Sequence, residues 1–439
     1  MFSDTVHNLL ALLRQDKSSR TEHERKLSAQ QRESGPMTSR RELFLIFLKI
    51  GCLSFGGFMA LIAVIENEIV KRRNLINHSD LLDAIALANL LPGPQAVNVV
   101  AFVGHRLYGG IGALLCAFSV LLPSFILVLV FSYIYFEYGH IAGIQKAFQG
   151  FLPAIAAIVF SVAWTMSKKV VKNRYDIALV AVAVLMMVFA PAAYRVYVPI
   201  VIVILYGALG FGYYSYRAKT GQQSDTQTEK PKFDVKSVIL PLGFLLFVLV
   251  FPYLPHPFQD NQLILLSLTL ASLSLMLFGG GYVFIPMIGS IVVLQYGWLT
   301  QQEFADGIAI GQLTPGPILI SAAFIGYKVS SWLGAIVATI AIYAPPAILM
   351  VVMTHIYGFF VHSSVTKSVM HIIHCGVIGM IIIAGFVLMH LAAPNWTPPD
   401  LMTWTSLGIF VLSLIALIKF KLNIVIIIPA AGLLAYLIY

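Results

Sequence analysis

Two Pro-Gly-Pro triplets, Pro92-Gly93-Pro94 and Pro315-Gly316-Pro317, sit inside apolar sequence and carry the chemistry this chain can most readily do. A proline donates no backbone hydrogen bond and pushes its predecessor away from helical geometry. The glycine between them admits a turn that other residues resist. The second proline suits the first position of a new helix. Each triplet therefore predicts a half-helix whose N-terminus starts inside an apolar layer. Such an end presents oriented N–H donors and a partial positive charge, which bind anions without a buried full charge. Asn98 and Ser321, each four residues past the triplet, are candidate side-chain donors to the same anion.

Both triplets have a partner motif. Phe55-Gly56-Gly57 precedes the first and Phe278-Gly279-Gly280, followed by Gly281, precedes the second, and both motif pairs are 223 positions apart. The glycines predict close approach of neighbouring backbones. Matched interruptions in two halves of an apolar chain point to the substrate site of a transporter. The match continues: Asn77-His78-Ser79-Asp80 lies opposite Thr300-Gln301-Gln302-Glu303, both in capping-box form. Asp83 lies opposite Asp306, Arg106 opposite Lys328 and Pro123 opposite Pro345, the last two pairs at an offset of 222. Inversion of the halves would place one acid of one repeat near one base of the other on each face. Asp83, Arg106, Asp306 and Lys328 are thus candidate gates or anion funnels, with interfacial anchoring as the plainer reading. Lys49, whose counterpart is Ser272, is a candidate lone basic contact. Glu66 and Glu68 are candidate proton carriers, and solvated helix-end carboxylates are the plainer reading.

The elements that must position these residues are transmembrane helices. Of 439 residues, 59% are hydrophobic and 11% charged, against about 25% charged in soluble domains. Apolar stretches near the roughly 20 residues that cross a bilayer occur at 43–64, 82–104, 109–135, 147–168, 175–193, 196–214, 236–254, 262–290, 304–325, 331–357, 369–392, 401–419 and 423–439. The expected fold is an all-α polytopic membrane protein with about 13 segments, some of them re-entrant. The expected organisation is a polar cytoplasmic tail over 1–42, a repeat over 43–216, a linker and connecting span over 217–261, and a second repeat over 262–439. Seven spans separate equivalent points of the repeats, an odd number, so the halves are expected in inverted topology.

The net charge of +9 lies largely in the tail and loops. It reads as the positive-inside pattern of a multi-pass membrane protein with a cytoplasmic N-terminus, not as a nucleic-acid footprint. Lys71-Arg72-Arg73 does not fit a single crossing by 43–64. Either that segment is re-entrant or the basic group attracts anions at the outer mouth. Cys52, Cys116 and Cys375 lack ligand-like spacing. His371, His374 and Cys375 share one helix face, where a packing or interfacial role outweighs metal binding. No resident metal or cofactor is expected.

At these residues the sequence resembles the chromate ion transporter family in its long two-domain form. The resemblance is carried by Phe55-Gly56-Gly57, Glu66 to Val70, Pro92-Gly93-Pro94 with Asn98 and Gly104, and Gly109 to Ala113. In the second half it rests on Phe278 to Tyr282 with Pro286, Gly297-Trp298, and Pro315-Gly316-Pro317 with Gly326. It covers nearly the whole chain from about residue 42. Phe58 departs from the family, whose first half usually reads Gly-Gly-Pro there. The resemblance implies export of chromate, a tetrahedral oxyanion, across the plasma membrane, with sulfate as a competing dianion and chromate resistance as the outcome. A homodimer is compatible with it. The competing readings are a sulfate or other anion carrier or exchanger, and a membrane-embedded enzyme. The second is disfavoured because the chain lacks HExxH and any paired acidic metal motif, and because its symmetric repeat offers no catalytic asymmetry.

Overall fold

The computed structural model describes residues 39–139, 142–191, 194, 197–219, 261–278, 281–354, 364–393 and 401–438. Residues 1–43 and 44–439 are separate compact units. In the first, the Ser39 hydroxyl accepts the Glu42 N–H at 3.1 Å and starts a helix. The fold described below is that of the second unit. The expected connecting span at 236–254 and the linker lie outside the described residues.

Among the described residues all regular structure is helical. In chain order they form α1 (Arg40–Leu53), α2 (Phe58–Ile65) with a π-helical extension (Glu66–Arg72), α3 (His78–Leu90) and α4 (Gln95–Tyr138). Then come α5 (Ala142–Val170), α6 (Arg174–Val188) and α7 (Val198–Lys219). The second repeat follows with α8 (Gln262–Ser274), α9 (Phe284–Gly289) with its π extension (Ser290–Gln295), α10 (Gln301–Leu313) and α11 (Ser321–Thr354). It ends with α12 (Ser364–Ala392), α13 (Leu401–Ile418) and α14 (Ile424–Ile438). The second repeat reproduces the first, π extensions included.

Six described helical stretches are long and apolar enough to cross a bilayer: Gln95–Tyr138, Gln145–Val170, Val198–Ser215, Ile318–Thr354, Lys367–Ala392 and Leu401–Ile418. Of the other seven expected segments, 236–254 lies outside the described residues, 175–193 and 423–439 hold helices of 15 residues (Arg174–Val188 and Ile424–Ile438), and the remaining four are broken. The stretches 43–64, 82–104, 262–290 and 304–325 are each two short helices separated by a Gly- or Pro-containing loop. Hydropathy counts apolar residues and is blind to direction, so it reads a pair of short arms as one long span.

Ion pairs show that these arms fold back. Arg106 Nη2 lies 3.3 Å from Asp80 Oδ1. A straight helix would separate those positions by about 39 Å at 1.5 Å per residue, so the chain reverses at Leu91–Pro94. It reverses again at Tyr108 (φ −142°, ψ 26°) and Gly109 (φ 61°, ψ −152°). There a Cβ on Gly104 would lie 2.4 Å from the Gly112 carbonyl oxygen. Helix α4 is therefore a short arm and a long arm meeting at a tight corner.

The second repeat has the same corner at Ser330 (φ −154°, ψ 47°) and Ser331 (φ 50°, ψ −146°), with Gly326 against Gly334. Ser331 holds without glycine's freedom a conformation that costs roughly 1–2 kcal/mol. Lys328 Nζ pairs with Glu303 Oε1 at 2.8 Å, the equivalent of Arg106–Asp80. Lys49 Nζ reaches Glu68 Oε1 at 3.2 Å across the Ser54–Gly57 loop, so the chain turns back there too.

A candidate substrate site where four loops converge

Each half-helix starts one residue later than the sequence suggests, because Pro94 and Pro317 are N-caps and not first-turn residues. Pro94 (φ −72°, ψ 95°) accepts the N–H groups of Val97 and Asn98, both at 3.0 Å. Pro317 (φ −81°, ψ 139°) accepts Ile320 N–H at 3.0 Å and leads through a 3-10 turn (Ile318–Ile320) into α11. A first helical turn leaves donors without intrahelical acceptors. Here those belong to the residues just after each proline, at the tip of a hairpin.

The two tips are tied across the repeats by matched bonds. Gly93 N–H donates to the Leu277 carbonyl at 2.8 Å, and Gly316 N–H donates to the Ser54 carbonyl at 2.8 Å. Ser54 and Leu277 are themselves 223 positions apart. Residue i bonding j′ while i′ bonds j is the pattern of an isologous pairing. The glycines are required twice over. Their φ values are 99° and 114°, and a Cβ on Gly93 would lie 2.4 Å from Pro346 Cβ, on Gly316 2.6 Å from Ser124 Oγ. Ser124 and Pro346 are again equivalent positions, each following the proline of a long arm. The Ser124 hydroxyl donates to the Pro315 carbonyl.

The glycine loops join the same region in two ways. Gly281 abuts the second half-helix, since a Cβ there would lie 2.5 Å from Ile318 Cγ2. Gly56 (φ 108°) and Gly57 (φ 78°) serve conformation, not close packing: nothing lies within 4 Å of a Cβ on Gly57, and on Gly56 the nearest atom is 3.4 Å away. This corrects the expected close backbone approach at that pair. Gly279 and Gly280 lie outside the described residues.

Asn98 and Ser321 are buried and turned onto their own loops. Asn98 Nδ2 donates to the Pro92 carbonyl at 3.2 Å and Ser321 Oγ to the Ile318 carbonyl at 2.9 Å. They brace the tips and are not the free donors their position suggested. Asn98 Oδ1 is a buried acceptor with no protein partner, able to take a hydrogen bond from water or from a protonated oxyanion. Gln312 Nε2, at the end of α10, is likewise buried and without an acceptor.

The four gate candidates are arranged otherwise than inversion alone suggested. Arg106 and Lys328 pair with Asp80 and Glu303 inside their own repeats, not with Asp306 and Asp83 of the opposite ones. The hairpin fold explains this, because it brings the end of each half-helix beside the start of the helix before it. Glu303 also completes the capping box with Thr300, whereas Asp80 leaves Asn77 without a side-chain cap. Asp306 is buried, accepts Tyr135 Oη of the first repeat at 2.7 Å, and takes Gln302 Nε2 at 3.1 Å. Lys328 stands 4.9 Å from the Phe136 ring centroid, a second contact across the repeats.

Lys49 is not a lone cation. It shares Glu68 with Arg72 and Arg73, each at 3.4 Å, while Lys71 pairs with Glu66 at 2.8 Å. Hydrogen bonding and charge from Lys71 hold the Glu66 carboxyl below its ordinary value. Burial pushes Glu68 up, but Lys49, Arg73 and Arg72 outweigh it and the carboxyl also sits low. Two carboxylates held ionised do not pick up protons near neutrality, which is against the proton-carrier reading of either.

Among the described residues, the group able to hold a metal ion is Asp176, His371 and Cys375, with ligand atoms within 4.8 Å of one another. Asp176 is already engaged, by His371 Nε2 at 3.0 Å and by the N–H groups of Lys172 and Asn173. Sequence spacing missed Asp176 because it lies on α6, far from the histidine in the chain.

The family model described as "Chromate transporter" matches residues 41–211 and 264–436, the two repeats. An uncharacterized transporter of Methanocaldococcus jannaschii is 29% identical over 91% of this chain and 94% of its own. A "Chromate transport protein" of Cupriavidus metallidurans is 30% identical over 71% of this chain and 73% of its own, and one of Pseudomonas aeruginosa 25% identical over 92% and 94%. No solved structure matches. Duplicated half-helices, apolar spans and a family match over both repeats meet in one conclusion: the chain is an integral membrane transporter of the chromate transporter family.

Proposed function

We infer that the chain exports chromate from the cytoplasm by alternating access of two inverted repeats, with the anion held between the two half-helix N-termini. The observation that carries this reading is the reciprocal pair Gly93–Leu277 and Gly316–Ser54, 2.8 Å each. It brings two donor-rich helix ends to equivalent positions in a symmetric arrangement. Two helix ends offer about half a positive charge each, enough to favour a dianion without trapping it as paired lysines would. Chromate transport proteins among the relatives supply the substrate.

Energetics favour export without nucleotide. Moving a dianion out of an inside-negative cell is worth about 4.6 kcal/mol per 100 mV, twice the single-charge figure. The membrane potential is therefore the proposed driving force, in preference to protons carried on Glu66 or Glu68. The pseudo-twofold axis lies in the membrane plane in this reading, so that the two access states are near mirror images in energy.

The test is chromate uptake into inside-out vesicles under an imposed potential, with sulfate as competitor. Potential-dependent accumulation of chromate supports the reading. Uptake of sulfate with exclusion of chromate assigns a different anion to the same fold, and uptake of neither overturns it.

A further inference from the structure

The two repeats match in backbone but not in charge, and one of the differences surrounds Glu68. Around Glu68 stand Lys49, Arg72 and Arg73, while the neighbouring Lys71 pairs with Glu66. Three cations share one carboxylate. At the equivalent positions the second repeat has Ser272, Leu294, Gln295, Tyr296, Ile291 and Gly289. It nevertheless builds the same π extension, Ser290–Gln295 against Glu66–Arg72. The charges are therefore not what this backbone needs in order to form.

The π register explains how they converge. Its i→i+5 bonding widens the turn, so residues four and five positions ahead flank the same spot. Arg72 and Arg73 both reach Glu68, at 3.4 Å each, and Lys49 closes the third side from α1 at 3.2 Å. Burial is graded in a telling way. The Glu68 side chain is 7% exposed, whereas those of Lys49, Arg72 and Arg73 are 47%, 66% and 35% exposed. The carboxylate sits inside and its cations face outward, reachable by a mobile anion.

We propose that Lys49, Arg72 and Arg73 form a loading subsite for the tetrahedral oxyanion dianion, and that Glu68 is its tethered occupant, displaced when the anion binds. A carboxylate offers two oxygens and one charge; a tetrahedral dianion offers four oxygens and two charges to the same donors, and charged donors favour it. Glu68 thus keeps the cations satisfied between loads and keeps the subsite from trapping the anion. Because only the first repeat carries the cluster, the two mouths of an otherwise symmetric carrier differ in their attraction for anions. This rests on the proposed oxyanion transport and adds to it a residue-level entry point.

The test uses the full chain in vesicles of zwitterionic phosphatidylcholine, which carries no net charge, comparing wild type with Glu68→Gln, Lys49→Gln, Lys49→Arg and the double variant Glu68→Gln/Lys49→Gln. The readout is KM against maximal rate for chromate, with sulfate binding to the purified protein measured by calorimetry. Glu68→Gln removes the occupant and should lower KM and the sulfate Kd roughly tenfold, about one cation contact's worth. Lys49→Gln should raise both, Lys49→Arg should restore them, and the double variant should fall between. A fall in maximal rate with KM and Kd unchanged, in both Glu68→Gln and Lys49→Gln, marks a purely structural cluster and overturns the subsite. A difference that exists only when anionic lipid is added assigns the cations to lipid headgroups and also overturns it. If wild type moves neither anion, the transport reading fails by itself, and the sulfate Kd series still decides whether the cluster binds a dianion.

Discussion

Gly93 N–H donates to the Leu277 carbonyl at 2.8 Å, and the equivalent residues Gly316 and Ser54 make the same bond in the other direction. In a low-dielectric interior an unpaired amide costs several kcal/mol. Each hairpin tip is thus completed by the opposite repeat, and neither half closes its own loop. That interdependence locks two helix N-termini into equivalent positions, as the proposed alternating access would require.

Substitution at the two glycines should be unequal. Gly93→Ala meets the rigid ring of Pro346, and Gly316→Ala meets the rotatable hydroxyl of Ser124. Both carry the positive-φ penalty, and the added clash should bring Gly93→Ala to about 2–4 kcal/mol of destabilisation against about 1–2 for Gly316→Ala. Thermal unfolding in detergent measures this. Adding Ser124→Ala to Gly316→Ala should recover part of the loss; no recovery would show that the hydroxyl is not the obstacle.

The clamps Arg106–Asp80 and Lys328–Glu303 should couple within repeats and not between them. All four side chains are partly exposed, so each pair should contribute about 0.2–1 kcal/mol. Double-mutant cycles should find that coupling for Arg106 with Asp80 and none for Arg106 with Asp306. A reversed ranking contradicts the hairpin geometry.

Much of this architecture was legible in the sequence, and the rest failed for definable reasons. The 223-residue offset identified the motif pairs and also marks Ser54 with Leu277, and the 222-residue offset that follows marks Ser124 with Pro346; these residues carry no chemistry of their own and so draw no attention. Asp80 and Glu303 were visible as caps, but nothing linear says that a base 25 or 26 residues later returns to them. Direction was the main loss. Pro-Gly-Pro reads equally as a kink in one span or the tip of a hairpin, and it is the Arg106–Asp80 and Lys328–Glu303 distances that separate these.

Acid should loosen the second hairpin. Burial raises the Glu303 carboxyl, but Lys328 and the Thr300 amide and hydroxyl outweigh it, so its folded value lies below the ordinary 4.5. A depressed folded value means that the contribution is present above the unfolded pKa and is lost as pH falls through the folded one. Stability should therefore be flat in this respect from pH 8 to about 5 and fall below about 4.5, near the unperturbed glutamate range. Glu303→Gln should remove that acid limb in a melting series, and an unchanged limb would assign it elsewhere.

Inversion makes a labelling prediction. In a cysteine-free background, His78→Cys and Tyr108→Cys should react with an impermeant maleimide from one face of the membrane, and Gln301→Cys and Ser330→Cys from the other. Labelling of all four from one face would leave the repeats parallel.

The most direct measurement is potential-driven chromate accumulation in inside-out vesicles carrying wild type, Gly93→Ala or Gly316→Ala at matched protein levels. A site built from both half-helix ends predicts accumulation in wild type and loss of at least tenfold in each variant, equivalent to about 1.4 kcal/mol or more of transition-state stabilisation. Undiminished accumulation in either folded variant would contradict the claim that both tips hold the anion.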